Sequence, residues 1–135
     1  MRVAATSSCR APAPAHPWRL QQMIEAHGGF TVRLRTGESV RSGISVVTRP
    51  SQSLTFLRNR WCDGDVRDWL MTVATGPAWR SVYIGGWLDP SSDMVWLDVV
   101  RVVPPPLRRV ACVLGRVMQQ HCVFDLGRRE TVVLR

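Results

Sequence analysis

Apolar and polar residues alternate through Phe30, Thr31, Val32, Arg33, Leu34 and Arg35. A strand with one buried face needs this pattern, because successive side chains point to opposite sides of a sheet. Thr36-Gly37-Glu38 is a turn signal, and residues 43–48 read as a second strand stopped by Arg49-Pro50. The two are expected to form an antiparallel hairpin with an irregular loop. Residues 51–61 show no readable period. Val66, Trp69, Leu70 and Val73 then fall at i, i+3, i+4 and i+7, one face of an α-helix whose stripe reads as core. Asp63 and Asp65 stand where carboxylates could accept from the free amides of its first turn, and Gly76-Pro77 ends it.

Residues 81–88 and 94–103 are the most strand-like pieces of the chain and are expected to pair as a hairpin around the loop 89–93. The second of them is apolar on both faces, which predicts an interior strand covered on both sides, with Asp98 as its one discordant residue. Pro104-Pro105-Pro106 breaks that strand. Leu107, Val110, Ala111, Leu114, Val117 and Met118 then trace a helical stripe, with Arg108, Arg109, Arg116 and Gln119 assigned to the solvent side. Residues 122–126 and 130–134 flank Gly127-Arg128-Arg129 as a closing strand and a further one. The predicted fold class is α+β, a single mixed and mainly antiparallel sheet with two helices in the order β-β-α-β-β-α-β(-β). The strand, helix and strand within 94–126 allow a right-handed crossover between parallel neighbours, which would bring Asp98 and Asp125 near each other.

Residues 1–22 are rich in Ala, Pro and Ser with no period, and are expected to be a disordered or loosely packed tail ahead of one domain at 23–135. A chain of 135 residues suits one domain, and six tryptophans with 45% hydrophobic residues are enough for a core. No apolar run approaches the ~20 residues that cross a bilayer. The start lacks the apolar segment of a secretory signal, and nothing before Cys9 supplies a lipoprotein leader. A cytoplasmic protein of a bacterial host without a membrane partner is therefore expected.

The net charge is +8 and every basic residue is arginine. Guanidinium groups suit phosphate, which raises nucleic acid as a partner. A GC-rich coding sequence explains the missing lysine equally well, and Arg2, Arg10 and Arg19 fall in the tail. Cys9, Cys62, Cys112 and Cys122 form no close pair, so neither zinc nor any other cofactor is expected. Cys112 and Cys122 read as small buried side chains.

Three blocks carry a resemblance: GFTVRLRTGESVRSGISVV (29–47), YIGGWLDPSSDMVWLDVVRVV (83–103) and GRVMQQHCVFDLGRRETV (115–132). They are similar to a small uncharacterised protein family of actinobacterial phages and prophages. That family's pattern has a GFT strand, a TG turn, GGW followed by Asp-Pro, an aromatic-Leu-Asp-Val strand, and then Gln, a short apolar strand and Asp-Leu. The resemblance spans about residues 27–132. Ser92-Asp93 stands where the family has Thr-Gly, and Val132-Val133-Leu134-Arg135 replaces a glycine-rich ending. It carries no catalytic residues over to this chain.

Asp89, Asp98 and Asp125 are the best polar candidates for chemistry, because carboxylates on adjacent strands can hold a divalent metal or divide acid and base roles. The alternative for a strand Asp is a structural pairing, with Arg101 and Arg109 available. Gly85-Gly86-Trp87 could form a platform where a ligand meets backbone and indole; a bulge or a helix contact is the plainer reading. Arg33 and Arg35 on the exposed hairpin face would carry nucleic-acid binding. No GxSxG, P-loop, GxGxxG or HExxH motif is present. The leading expectation is a small non-enzymatic phage or prophage accessory protein that binds a host or phage macromolecule, a protein before a nucleic acid, with Arg33, Arg35, Trp87 and Asp89 as binding residues. The alternatives are a small metal-dependent or nucleotide-directed enzyme using Asp98 and Asp125, and a basic nucleic-acid-binding module.

Overall fold

Met94–Val103, the ten-residue apolar strand, is the axis of the sheet. The computed structural model describes residues 15–75 and 79–134. Along the chain these form α1 (Pro17–His27), β1 (Gly29–Arg33), β2 (Ile44–Val47), β3 (Leu54–Leu57), α2 (Asp63–Val73), β4 (Tyr83–Asp89), β5 (Met94–Val103), α3 (Arg108–Val117), β6 (Cys122–Asp125) and β7 (Glu130–Val133). The protein is α+β, and all its strand pairs are antiparallel in the spatial order β1-β4-β5-β2-β6-β7, with β3 also on β5.

The expected hairpin of β4 and β5 forms, with Trp87 opposite Trp96 and Gly85 opposite Asp98. The other edge of β5 is shared. β2 pairs with it from Val100 to Val103 and β3 from Met94 to Leu97, so the chain leaves the ladder between Val47 and Leu54 and rejoins it. A 3-10 turn at Pro50–Gln52 makes that excursion. The Trp69 indole N–H donates to the Gln52 carbonyl (2.5 Å) and the Thr48 amide to the Val99 carbonyl (3.0 Å), which ties the detour to α2 and β5. At the far end of β2, Gln120 stands in for a strand residue. Its side-chain carbonyl accepts from the Val47 amide (3.2 Å) and its NH2 donates to the Val47 carbonyl.

Residues facing each other in an antiparallel ladder share a side of the sheet, and the register divides this sheet cleanly. One side carries Val32, Ile84, Val95, Leu97 and Val99, packed against Leu20 and Ile24 of α1 and Val66, Trp69, Leu70 and Val73 of α2. Farther along the same side, Ile44, Val46, Val103 and Val123 pack with Leu134 against Ala111 of α3. All three helices therefore lie on one face, where each buried Val, Leu or Ile contributes ~1.5–3 kcal/mol.

Several expectations are corrected. Residues 17–22, assigned to the tail, belong to α1, because Leu20 and Ile24 at i, i+4 seal one end of the core and Pro17 suits a first helical turn. Residues 1–14 of that tail lie outside the described residues, as does the Gly76-Pro77 stop. β1 and β2 form no hairpin: β1 pairs with β4, and the turn after it folds back so that Ser39 bridges Val32. β5 and β6 run parallel but are not neighbours, since β2 lies between them. Asp63 caps no amide; Cys62 holds the N-cap position and Asp63 accepts from the Trp61 indole (2.8 Å). The stripe on α3 is rotated. Ala111 and Gly115 face the sheet, while Leu107, Val110, Val113 and Val117 face water, Val117 at 71% exposure. A Cβ at Gly115 would lie 2.5 Å from Leu134 Cδ1 and 2.8 Å from Val123 Cγ1, so the helix seats closest through its smallest residues. Finally, on the side of β5 away from the helices the expected covering holds at Val100 (6% exposed) and in part at Met94, Asp98 and Val102, and fails at Trp96 (40%).

Candidate functional site

The side of the sheet away from the helices is built in rows, because residues paired across strands line up at right angles to them. One row runs Arg33, Tyr83, Val100, Val47, and the next Thr31, Gly85, Asp98. A third runs Gly29, Trp87, Trp96, Thr55, and a fourth Asp89, Met94, Leu57. Beyond the first row the same side continues through Val102, Ser45, Phe124 and Thr131, with Cys122 and Val133 at the far margin. Trp87 (52%) and Trp96 (40%) are exposed at facing positions, and Leu57, Phe124 and Val133 are exposed large apolar side chains on the same surface.

The glycines beside Trp87 have separate causes. Phe30 faces Gly86 on the helix side, where a Cβ would meet the ring at 2.2–2.8 Å, so Gly86 admits an aromatic from the neighbouring strand. Gly85 faces the open side, where Val100 Cγ1 leans toward it, 3.0 Å from where a Cβ would stand. The Gly-Gly pair is thus neither a bulge nor a helix contact. It leaves a low row beside the two indoles, and that row is covered: Thr31 (7% exposed) and Gly85 are buried, as is Val100 (6%) beside them.

Asp98 lies in that low row, opposite the gap where the edge passes from β2 to β3. The Ser53 hydroxyl donates to its Oδ1 (2.5 Å), and among the described residues no cation pairs with it. Burial pushes its carboxyl above the ordinary range, against the opposing effect of the Ser53 hydrogen bond. Asp125 is on the other side of the sheet, level with Ile44 and facing α3. Arg108 donates to it (2.9 Å) and the Arg128 amide donates to its other oxygen (3.0 Å). The expected meeting of Asp98 and Asp125 is corrected accordingly: they sit on opposite faces, and their partners are Ser53, Arg108 and Arg128 rather than Arg101 and Arg109. Asp89 is also apart from both. It organises the β4–β5 turn, accepting from the Ser91 hydroxyl (2.8 Å), the Ser91 amide (3.0 Å) and the Ser92 hydroxyl (2.9 Å), and these bonds, the Ser91 hydroxyl first, hold its carboxyl below the usual range.

Of the expected binding residues, Trp87, Asp89 and Arg33 share the open face, although Arg33 is three rows from Asp89. The Arg33 guanidinium lies 5.1 Å from the Tyr83 ring centre and 3.9 Å from Glu38. Arg35 is exposed in the turn after β1, off the strand where it was expected. Cys122 is exposed rather than buried, because its strand turns that position to the open side. Trp96, Leu57 and Phe124 were not singled out from sequence. One signal was present: in β5 the positions Met94, Trp96 and Asp98 share a parity, so the discordant carboxylate set Trp96 on the side away from Val95, Leu97 and Val99. Among the described residues no three His, Cys, Asp or Glu side chains are grouped so as to hold a metal ion. No protein-family model, curated protein or solved structure matches this chain.

Proposed function

We propose that this protein is a non-enzymatic binding module of the phage or prophage accessory kind, and that it engages a macromolecule of host or phage through the open face of its sheet. One observation carries the reading: Trp87 and Trp96 stand exposed at facing positions, with exposed Leu57 in the next row. Contiguous apolar surface of this kind is costly in a lone protein and marks an interaction site. Indoles supply large contact area at small entropic cost, and they dominate binding energy at interface centres.

A protein partner has more support than nucleic acid. Among the described residues Arg33 is the only strand arginine whose register puts it on this face, since Arg101 opposes Val46 on the helix side, while Asp89 and Asp98 flank the indoles. A polyanion would meet more negative than positive charge there. No helix among the described residues is long and apolar enough to cross a membrane.

The test is affinity capture from an actinobacterial lysate with wild-type and W87S/W96S baits side by side. The reading expects a set of molecules, further copies of this chain included, that wild type retains and the double variant loses, while D98N and D125N keep it. Identical retention by both baits contradicts it.

A further inference from the structure

We infer that the outward side of α3 is a second binding surface, separate from the open face of the sheet, and that it seats an acidic amphipathic helix of a protein partner. The first support is spacing. Leu107, Val110, Leu114 and Val117 fall at i, i+3, i+7 and i+10, with Val113 beside Val110 and Val117. Leu107, Val110, Val113 and Val117 are exposed and Leu114 is half-buried, because α3 meets the sheet through Ala111 and Gly115. A surface helix ordinarily turns its apolar stripe to the core; this one keeps its stripe and its seat on different sides. The line i, i+3, i+7, i+10 is the one along which a second helix packs.

The second support is charge, which says what kind of helix fits. Val113 stands at i+4 from Arg109 and at i−3 from Arg116, so the two guanidinium groups border the stripe. Both arginines are exposed, and among the described residues neither forms an ion pair. Arg108 is turned away to Asp125. Arg109 stands near the start of the helix, where the macrodipole disfavours a cation, and the first turn holds no acid to offset it. Between Asp98 and Asp125 the chain carries Arg101, Arg108, Arg109 and Arg116 and no acidic residue. Carboxylates bordering a partner's apolar stripe would supply what this segment lacks.

Other occupants fit less well. A second copy packed by its own α3 would set Arg109 and Arg116 against their equivalents, since a two-fold contact joins a surface to itself. Residues 1–14 carry Arg2 and Arg10 and no acid. Helices that lie in a bilayer surface enter it with Trp, Phe and Leu. This stripe is mostly valine, which ends at Cγ and suits helices packed ~8–10 Å apart.

The experiment is fluorescence anisotropy of a labelled three-heptad peptide, Leu at a and d and Glu at e and g, titrated with the full chain at physiological salt. Glu at e and g also keeps the peptide from pairing with itself. Wild type is expected to bind it about tenfold or more tightly than the same peptide with Lys in place of Glu. V110S/V117S, with its urea midpoint unchanged, should weaken binding about tenfold. R109Q/R116Q should weaken it several-fold, by a margin that shrinks as salt rises. W87S/W96S should bind the peptide as wild type does, because the indoles lie on the other side of the sheet from α3, and the two surfaces can therefore fail separately. Binding of neither peptide, equal binding of both, binding that survives V110S/V117S, or binding lost in W87S/W96S overturns the inference. Phosphatidylglycerol vesicles that retain wild type but not V110S/V117S, with no peptide bound, assign the surface to lipid instead. A wild-type dimer in sedimentation equilibrium that V110S/V117S abolishes, again with no peptide bound, assigns it to a second copy.

Discussion

The ring of Phe30 fills the space that a side chain at Gly86 would occupy, with its nearest carbon 2.2 Å from the Cβ position. The two residues face each other across β1 and β4, so a strand interior has traded one side chain for another. Gly86→Ala is expected to cost about 2 kcal/mol, because an aromatic ring packed in the core cannot slide away cheaply. Urea unfolding should show it, and G86A/F30L should cost less than the sum of its two single changes.

Arg108 holds the buried Asp125 between α3 and β6, and Glu130 and Arg128 extend the cluster outward. Removing one partner of a largely buried ion pair leaves an uncompensated charge. Arg108→Gln is expected to destabilise by about 2–3 kcal/mol, a value reduced because the guanidinium is itself a third exposed. Arg128→Gln, mostly in water, should cost under ~1 kcal/mol. Chemical denaturation of both variants in low and moderate salt checks the order.

Asp98 makes stability depend on pH. Burial raises its carboxyl above the unfolded value of 3.8, so just above that pH the folded chain keeps a proton that the unfolded chain has released. Stability from this group is therefore full below pH 3.8, falls as pH rises through the folded pKa, and stays low at neutral pH. Asp98→Asn keeps an acceptor for Ser53 and removes the charge. It is expected to be more stable than wild type at neutral pH and to lose that advantage below pH 3.8, as urea midpoints at the two pH values would show.

The two sides of α3 should respond oppositely to small changes. Val117→Ser, on the outward side, should shift stability by less than ~0.5 kcal/mol. Gly115→Ala would gain about 1 kcal/mol of helix propensity in an open helix. Here the added methyl runs into the stiff Val123 side chain and into Leu134, so a net loss of about 1–2 kcal/mol is expected in thermal unfolding.

What could be read from the sequence was local. The β4–β5 hairpin and the Val66, Trp69, Leu70, Val73 stripe each repeat within a few residues, and both formed as expected. α1 has Pro17 at its start and Gly28 in the left-handed region at its end (φ 75°), but the Ala/Pro-rich residues before it masked these signals. The pairing of β1 with β4 rather than β2 is long-range, and neither strand's alternation names its neighbour. On α3 the apolar period was visible, whereas the side that seats was decided by the absence of a side chain at Gly115. The exposure of Trp96 was hidden for a related reason: an apolar strand reads as covered on both sides along its whole length, and its composition does not tell buried Val100 from exposed Trp96.

The most direct test of the open face is tryptophan footprinting by oxidation and mass spectrometry, in dilute protein and in complex with the captured partner. Trp87 and Trp96 should be modified in dilute protein and protected in the complex, while exposed Trp18 stays reactive and buried Trp69 stays protected in both. Trp87 and Trp96 as protected as Trp69 in dilute protein, or as reactive as Trp18 in the complex, would contradict the account.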